Sequence, residues 1–216
     1  MTDKFHLEIQ NLKKITAEMG HFSMKMFTDS LMALKNLDEE KAKDVYLRKE
    51  KLLEYNKLIE EETIRILSLF QPVAGDLRTI TCISQMNTSF YRLGRNAKEI
   101  SNFIEFMPQF SHLGIMNSIC HMAGCVLSML SDCLYAFENE DAEIIKTFSG
   151  REQDIDNLQK TIFRESITYM MEDNSKITAC TEYVMASRIL ERMGDHACLM
   201  GEKIYFMIKG QMIEIN

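Results

Sequence analysis

Leu190-Glu191-Arg192-Met193-Gly194-Asp195-His196-Ala197 decides how this chain is read. The octapeptide lies inside an apolar-periodic run that extends to about Lys209 and is closed by Gly210, a sequence pattern that predicts the interior of a long helix. One hundred residues earlier, Arg92, Gly94 and Ala97 stand where Arg192, Gly194 and Ala197 stand here. Further upstream the shift between like residues becomes 103. There Met19-Gly20 falls against Met122-Ala123, Leu31-Met32-Ala33 against Leu134-Tyr135-Ala136, Asn36 against Asn139, Asp38 against Asp141 and Arg48 against Arg151. Matches at a constant shift, with the elements in the same order, indicate a duplicated unit. The change from 103 to 100 places a connection three residues shorter in the second half.

Working outward, the sequence predicts six helices. The first spans about Phe5 to Leu37, where Leu7, Ile9, Leu12, Ile15, Met19, Met26, Leu31 and Leu34 recur mostly at three- and four-residue steps. Asp38 opens the second, with Glu39 and Glu40 in its first turn, where carboxylates complement the helix dipole. It runs to about Phe70. Gln71-Pro72-Val73-Ala74-Gly75-Asp76 breaks the chain, with Asp76 expected to cap a third helix that ends near Pro108. A fourth fills about Ser111 to Glu138, a fifth about Asp141 to Glu172, and a sixth follows Asp173-Asn174-Ser175. A helix of about 30 residues is about 45 Å long at about 1.5 Å per residue, and short connections between such rods imply antiparallel bundles. The expected fold is all-α, two tandem three-helix bundles related by a pseudo-twofold axis, divided into residues 1–108 and 109–216.

Composition narrows the function. The chain has 216 residues, 46% of them hydrophobic, with only two prolines and nine glycines, which suits long helices around a real core. Its formal net charge of −7 argues against nucleic acid as the main partner and suits cations or basic protein surfaces. Six cysteines include no Cys-x-x-Cys pair and no zinc spacing, so reduced, mostly buried thiols are expected. The start, Met-Thr-Asp-Lys-Phe-His, lacks an apolar signal stretch, and a cytoplasmic location is expected. No run is read as reaching the roughly 18–20 apolar residues of a membrane span.

Glu191 and Asp195 are four residues apart, so both carboxylates leave one helical face. Glu152 and Asp156 repeat that spacing on the fifth helix. If the two helices lie side by side, four carboxylates converge. Like charges at this spacing repel, which calls for a cation nearby. Oxygen donors on facing helices suit hard metals, here magnesium, manganese, calcium or iron. His196 is placed to act as a ligand or to hydrogen-bond one, and Arg192 lies beside it. Gly194, in mid-helix, predicts close approach of a neighbouring helix. Either pair alone reads better as solvated surface; the second pair and the glycine together bring a metal site level with that reading.

Leu190 to Ala197 resembles the Leu-Glu-Arg-Ile-Gly-Asp-His-Ala signature of the PhoU family. Gln71-Pro72-Val73-Ala74-Gly75-Asp76-Leu77-Arg78, Tyr169-Met170-Met171-Glu172-Asp173 and Lys203-Ile204-Tyr205-Phe206-Met207-Ile208-Lys209-Gly210 are also similar to that family, in the same order along the chain. The resemblance implies two three-helix bundles whose acidic motifs bind metal clusters. It also implies a non-enzymatic role restraining the phosphate-starvation response, through contact with a phosphate-transport ATPase and a sensor histidine kinase. Metal ligands Glu152, Asp156, Glu191 and Asp195 are expected to hold divalent or trivalent ions, iron, zinc, manganese or magnesium, and a homodimer is the expected assembly.

The first half departs from that pattern. Lys49 and Leu53 stand where the fifth helix has Glu152 and Asp156, and Tyr91 and Arg95 stand where the sixth has Glu191 and Asp195. Cations in a ligand shell repel a metal, so this first-half site is expected to be empty, with Arg95 and Lys49 filling it or meeting an acidic partner. The competing reading is a di-metal bundle enzyme, an oxidase or hydrolase. The oxidase pattern asks for Glu-x-x-His on two helices, whereas this chain has Glu191-Arg192-Met193-Gly194 and Glu152-Gln153-Asp154-Ile155. A third reading is a metal-free helical scaffold.

Overall fold

The structure is a computed structural model and describes residues 2–106 and 113–215. Its α-helices are α1 (Thr2–Asn36), α2 (Glu39–Leu47), α3 (Lys49–Phe70), α4 (Ala74–Asn102), α5 (Ile115–Asn139), α6 (Phe148–Glu172) and α7 (Ile177–Lys209). They form six rods, because α2 and α3 meet at Arg48. α1, α4, α5 and α7 form the centre; α3 packs on α1 and α4, and α6 on α5 and α7. One continuous apolar core joins the halves, with Met26, Phe27, Phe90, Met122, Phe137 and Leu190 fully buried within it. The predicted all-α architecture of two three-helix units is what is found.

Several caps follow their local chemistry. Asp38 accepts a hydrogen bond from the Lys41 amide at 2.9 Å and starts α2. Gly210 ends α7 in the left-handed region, φ 69°. Asp76, expected as a cap, instead lies inside the first turn of α4; extended Val73 is the cap, and the helix starts at Ala74. There the Asp76 carboxylate still complements the helix dipole. The fifth rod also starts later than expected. The Asp141 side chain accepts from the Glu143 amide at 3.0 Å, and this turn competes with helix, so only a 3-10 turn (Ile144–Thr147) precedes α6. The expected third-helix end near Pro108, the boundary at 108/109 and the fourth-helix start at Ser111 fall outside the described residues.

One expectation is corrected outright. α5 is long and apolar enough to cross a membrane by length and composition, with a mean hydropathy of 1.4 in its most apolar window. Its apolar character has a packing explanation: α5 is wedged against α1, α6 and α7, and Ile119, Val126, Met129 and Phe137 are fully buried. The six thiols are free; four are buried, and Cys120 and Cys125 are half-buried.

Equivalent positions in the two halves make equivalent contacts. Arg48 donates to Asp29 and Arg151 to Asp132, each at 2.6 Å, and each pair is 103 residues from the other. A methyl built on Gly94 would meet Leu52, and one on Gly194 would meet Ile155.

Candidate metal site on helices six and seven

α6 and α7 pack along one another, with close joints at Gly194 and Gly201. At Gly194 a Cβ would stand 3.1 Å from Ile155 Cδ1, so glycine lets the α7 backbone lie this near α6 without displacing the Ile155 side chain. Ile155 sits between Glu152 and Asp156, and Gly194 between Glu191 and Asp195. The apolar joint therefore holds the two acidic pairs on facing helices at one level.

Their electrostatics record that proximity. Partial burial, then Asp156 and Asp195, push the Glu152 carboxyl above its ordinary value. Partial burial, then Asp195 and Asp156, do the same for Glu191. Asp195 is raised by desolvation first and by Asp156 second. All four acids predicted from sequence thus lie in one mutually repelling group. Lys160 Nζ, 3.9 Å from Asp156 Oδ2, supplies partial compensation.

Glu152 and Asp195 also line an open cavity of about 950 Å³. Glu202 and Glu214 line it too, and neither was singled out from sequence. Glu202 lies seven residues, two turns, beyond Asp195, a spacing that marks the same helical face. Glu214 carries no such signal, because residues 211–215 reach the cavity only by folding back along α7, where the Ile215 amide donates to Glu202 Oε1 at 3.0 Å.

The donors suit a hard cation: carboxylate oxygens only, with excess negative charge. As the side chains stand, no three His, Cys, Asp or Glu groups among the described residues are close enough to enclose one ion. The match is therefore in donor chemistry and placement, and ligation calls for the carboxylates to turn inward.

His196 and Arg192 sit elsewhere. Both line a groove between α7 and α4, on a different face of α7 from Glu191 and Asp195. Burial, and then Arg92, hold His196 below the ordinary histidine range. Of the first-half residues, Tyr91 and Arg95 line this same groove. Lys49 Nζ lies 4.1 Å from the centre of the Tyr46 ring, and Leu53 is exposed.

With this geometry in hand, the relatives can be placed. The PhoU domain family model matches the chain twice, over residues 16–104 and 119–204. The chain is 32% identical, over the full length of both, to a phosphate-specific transport system accessory protein PhoU homolog of Clostridium acetobutylicum. A PhoU homolog of Pseudomonas putida is 31% identical over 97% of this chain and 82% of its own length. Among solved structures, PhoU from Pseudomonas aeruginosa superposes with a TM-score of 0.91 at 29% identity, over 96% of this chain and all of that one. PhoU from Streptococcus pneumoniae, at 24% identity and a TM-score of 0.87, shares the fold. On the double family match and the full-length likeness, this chain belongs to the PhoU family.

Proposed function

We propose that this protein is a non-enzymatic, cytoplasmic regulator of phosphate uptake that restrains the phosphate-starvation response. It acts by contact with the phosphate-transport ATPase and a sensor histidine kinase, and it assembles as a homodimer. The observation that carries this reading is the likeness, along the whole chain, to proteins named as accessory proteins of the phosphate-specific transport system. Glu152, Asp156, Glu191 and Asp195 would hold the metal, iron, zinc, manganese or magnesium, and the raised carboxyls of Glu152, Glu191 and Asp195 support a cation there. The ion would supply positive charge that lets the four carboxylates approach and fixes α6 against α7. The residues themselves bind and orient; no proton transfer is assigned to them.

Two measurements test this. Tagged protein should capture the transport ATPase or the sensor kinase from its own host, and capture of neither overturns the regulatory reading. Metal analysis of purified protein should find bound metal that Glu191→Ala with Asp195→Ala removes; unchanged metal content overturns the site.

A further inference from the structure

The groove between α4 and α7 carries a charge opposite to that of the molecule. Against a net charge of −7, its lining includes Arg92, Arg95, Lys98 and Arg192, with Glu99 as its one carboxylate. Arg48, Arg65 and Arg151 each pair with an acid. Among the described residues, none of the three groove arginines does. Lys98 Nζ rests 4.8 Å from the centre of the Tyr46 ring. His196 Nδ1 is buried without a hydrogen-bond partner. Tyr91, half-buried, completes one wall.

Guanidinium groups without an ion pair, gathered from two helices, repel one another; Arg192 feels the charges of Glu191 and Asp195 on its own helix but bonds neither, and the remaining repulsion is relieved by an anion. Arginine forks match phosphoryl oxygens in pairs. A volume of about 540 Å³ is that of a small-molecule site. Four cations against one carboxylate exceed the charge of a single phosphate, so the charge balance favours a ligand with at least two phosphoryl groups. Arg95 adds to the groove's positive charge at the position where the second half has Asp195.

We propose that the α4–α7 groove binds a small anion bearing two or more phosphoryl groups, gripped by Arg92 and Arg95 from α4 and Arg192 from α7. Calorimetric titration of the full chain at low salt, with inorganic tripolyphosphate in one arm and ADP in the other, tests it. One-to-one binding of at least one probe is expected, weakened tenfold or more by Arg95→Gln and by Arg192→Gln. Lys57→Gln, on the exposed side of α3, should leave it unchanged. Binding of tripolyphosphate, with or without ADP, identifies the phosphoryl chain as the determinant. Preference for ADP, lost in Tyr91→Ala, identifies a nucleotide. Both arginines are exposed, and thermal melts of the variants should match the parent. Failure of both probes to bind, binding that survives both arginine substitutions, or equal weakening by Lys57→Gln overturns it.

Discussion

The α7 backbone at Gly194 lies directly on the Ile155 side chain of α6, and Gly94 lies still closer on Leu52 of α3. A methyl at Gly94 would stand 2.5 Å from Leu52 Cδ2, against 3.1 Å between the same group at Gly194 and Ile155. Alanine favours helix over glycine by about 1 kcal/mol, while overpacking a core costs roughly 1–3 kcal/mol. Gly94→Ala should therefore lose about 1–2 kcal/mol, and Gly194→Ala should stay within about 1 kcal/mol of the parent. Denaturant unfolding midpoints check both. Gly194→Ala should also weaken metal binding, because it pushes the acidic pairs apart.

The acidic face predicts an unusual pH dependence. Glu152, Glu191 and Asp195 hold protons to higher pH in the fold than in the unfolded chain. From the ordinary carboxylate range up to those raised values, the folded state binds more protons, so stability falls as pH rises through that window. Without metal, Glu191→Gln with Asp195→Asn should melt at a higher temperature than the parent at neutral pH, and the gap should close in acid. Added metal should reverse the order. Thermal melts across pH, with and without chelator, report it.

The two arginine pairs at the heads of the outer rods should differ in their dependence on the aspartate. Arg48 has a second carboxylate in Asp44, whereas the second partner of Arg151 is the Ser128 hydroxyl. Hydrogen bonds to charged groups contribute about 1.5–3 kcal/mol when partly buried. Asp132→Ala should fall in that range, and Asp29→Ala should cost less. Chemical denaturation of the two variants, side by side, gives the comparison.

Tyr46 reports where Lys49 sits. A hydrogen bond and charge from Lys49, with Lys98 adding to them, hold the phenol below its ordinary value. Lys49→Met should return it upward in an ultraviolet titration of phenolate absorbance. No change would mean that Lys49 points away, toward the volume the second half fills with Glu152.

Features written in contiguous residues were legible. Asp38 and Gly210 cap as their types require, and the i, i+4 acids on two successive rods come into one neighbourhood. Features made by distant contacts were not. Arg48 is an ordinary helix former, and nothing local predicts the joint between α2 and α3. α2 gives way to α3 at Arg48, whose side chain bridges to Asp29, nineteen residues away. Glu214 joins the cavity only because the tail folds back. Arg192 and His196 were read with the acids they adjoin in sequence. One residue is about 100° of turn on a helix, which carries them to another neighbour.

That rotation has a mechanical consequence. α7 is an unbroken rod of 33 residues, with carboxylates bearing on α6 and basic groups bearing on α4. Rolling the rod to press Glu191 and Asp195 closer to α6 swings Arg192 and His196 about the same axle. Neither flank of α7 can be retuned while its opposite flank stays still.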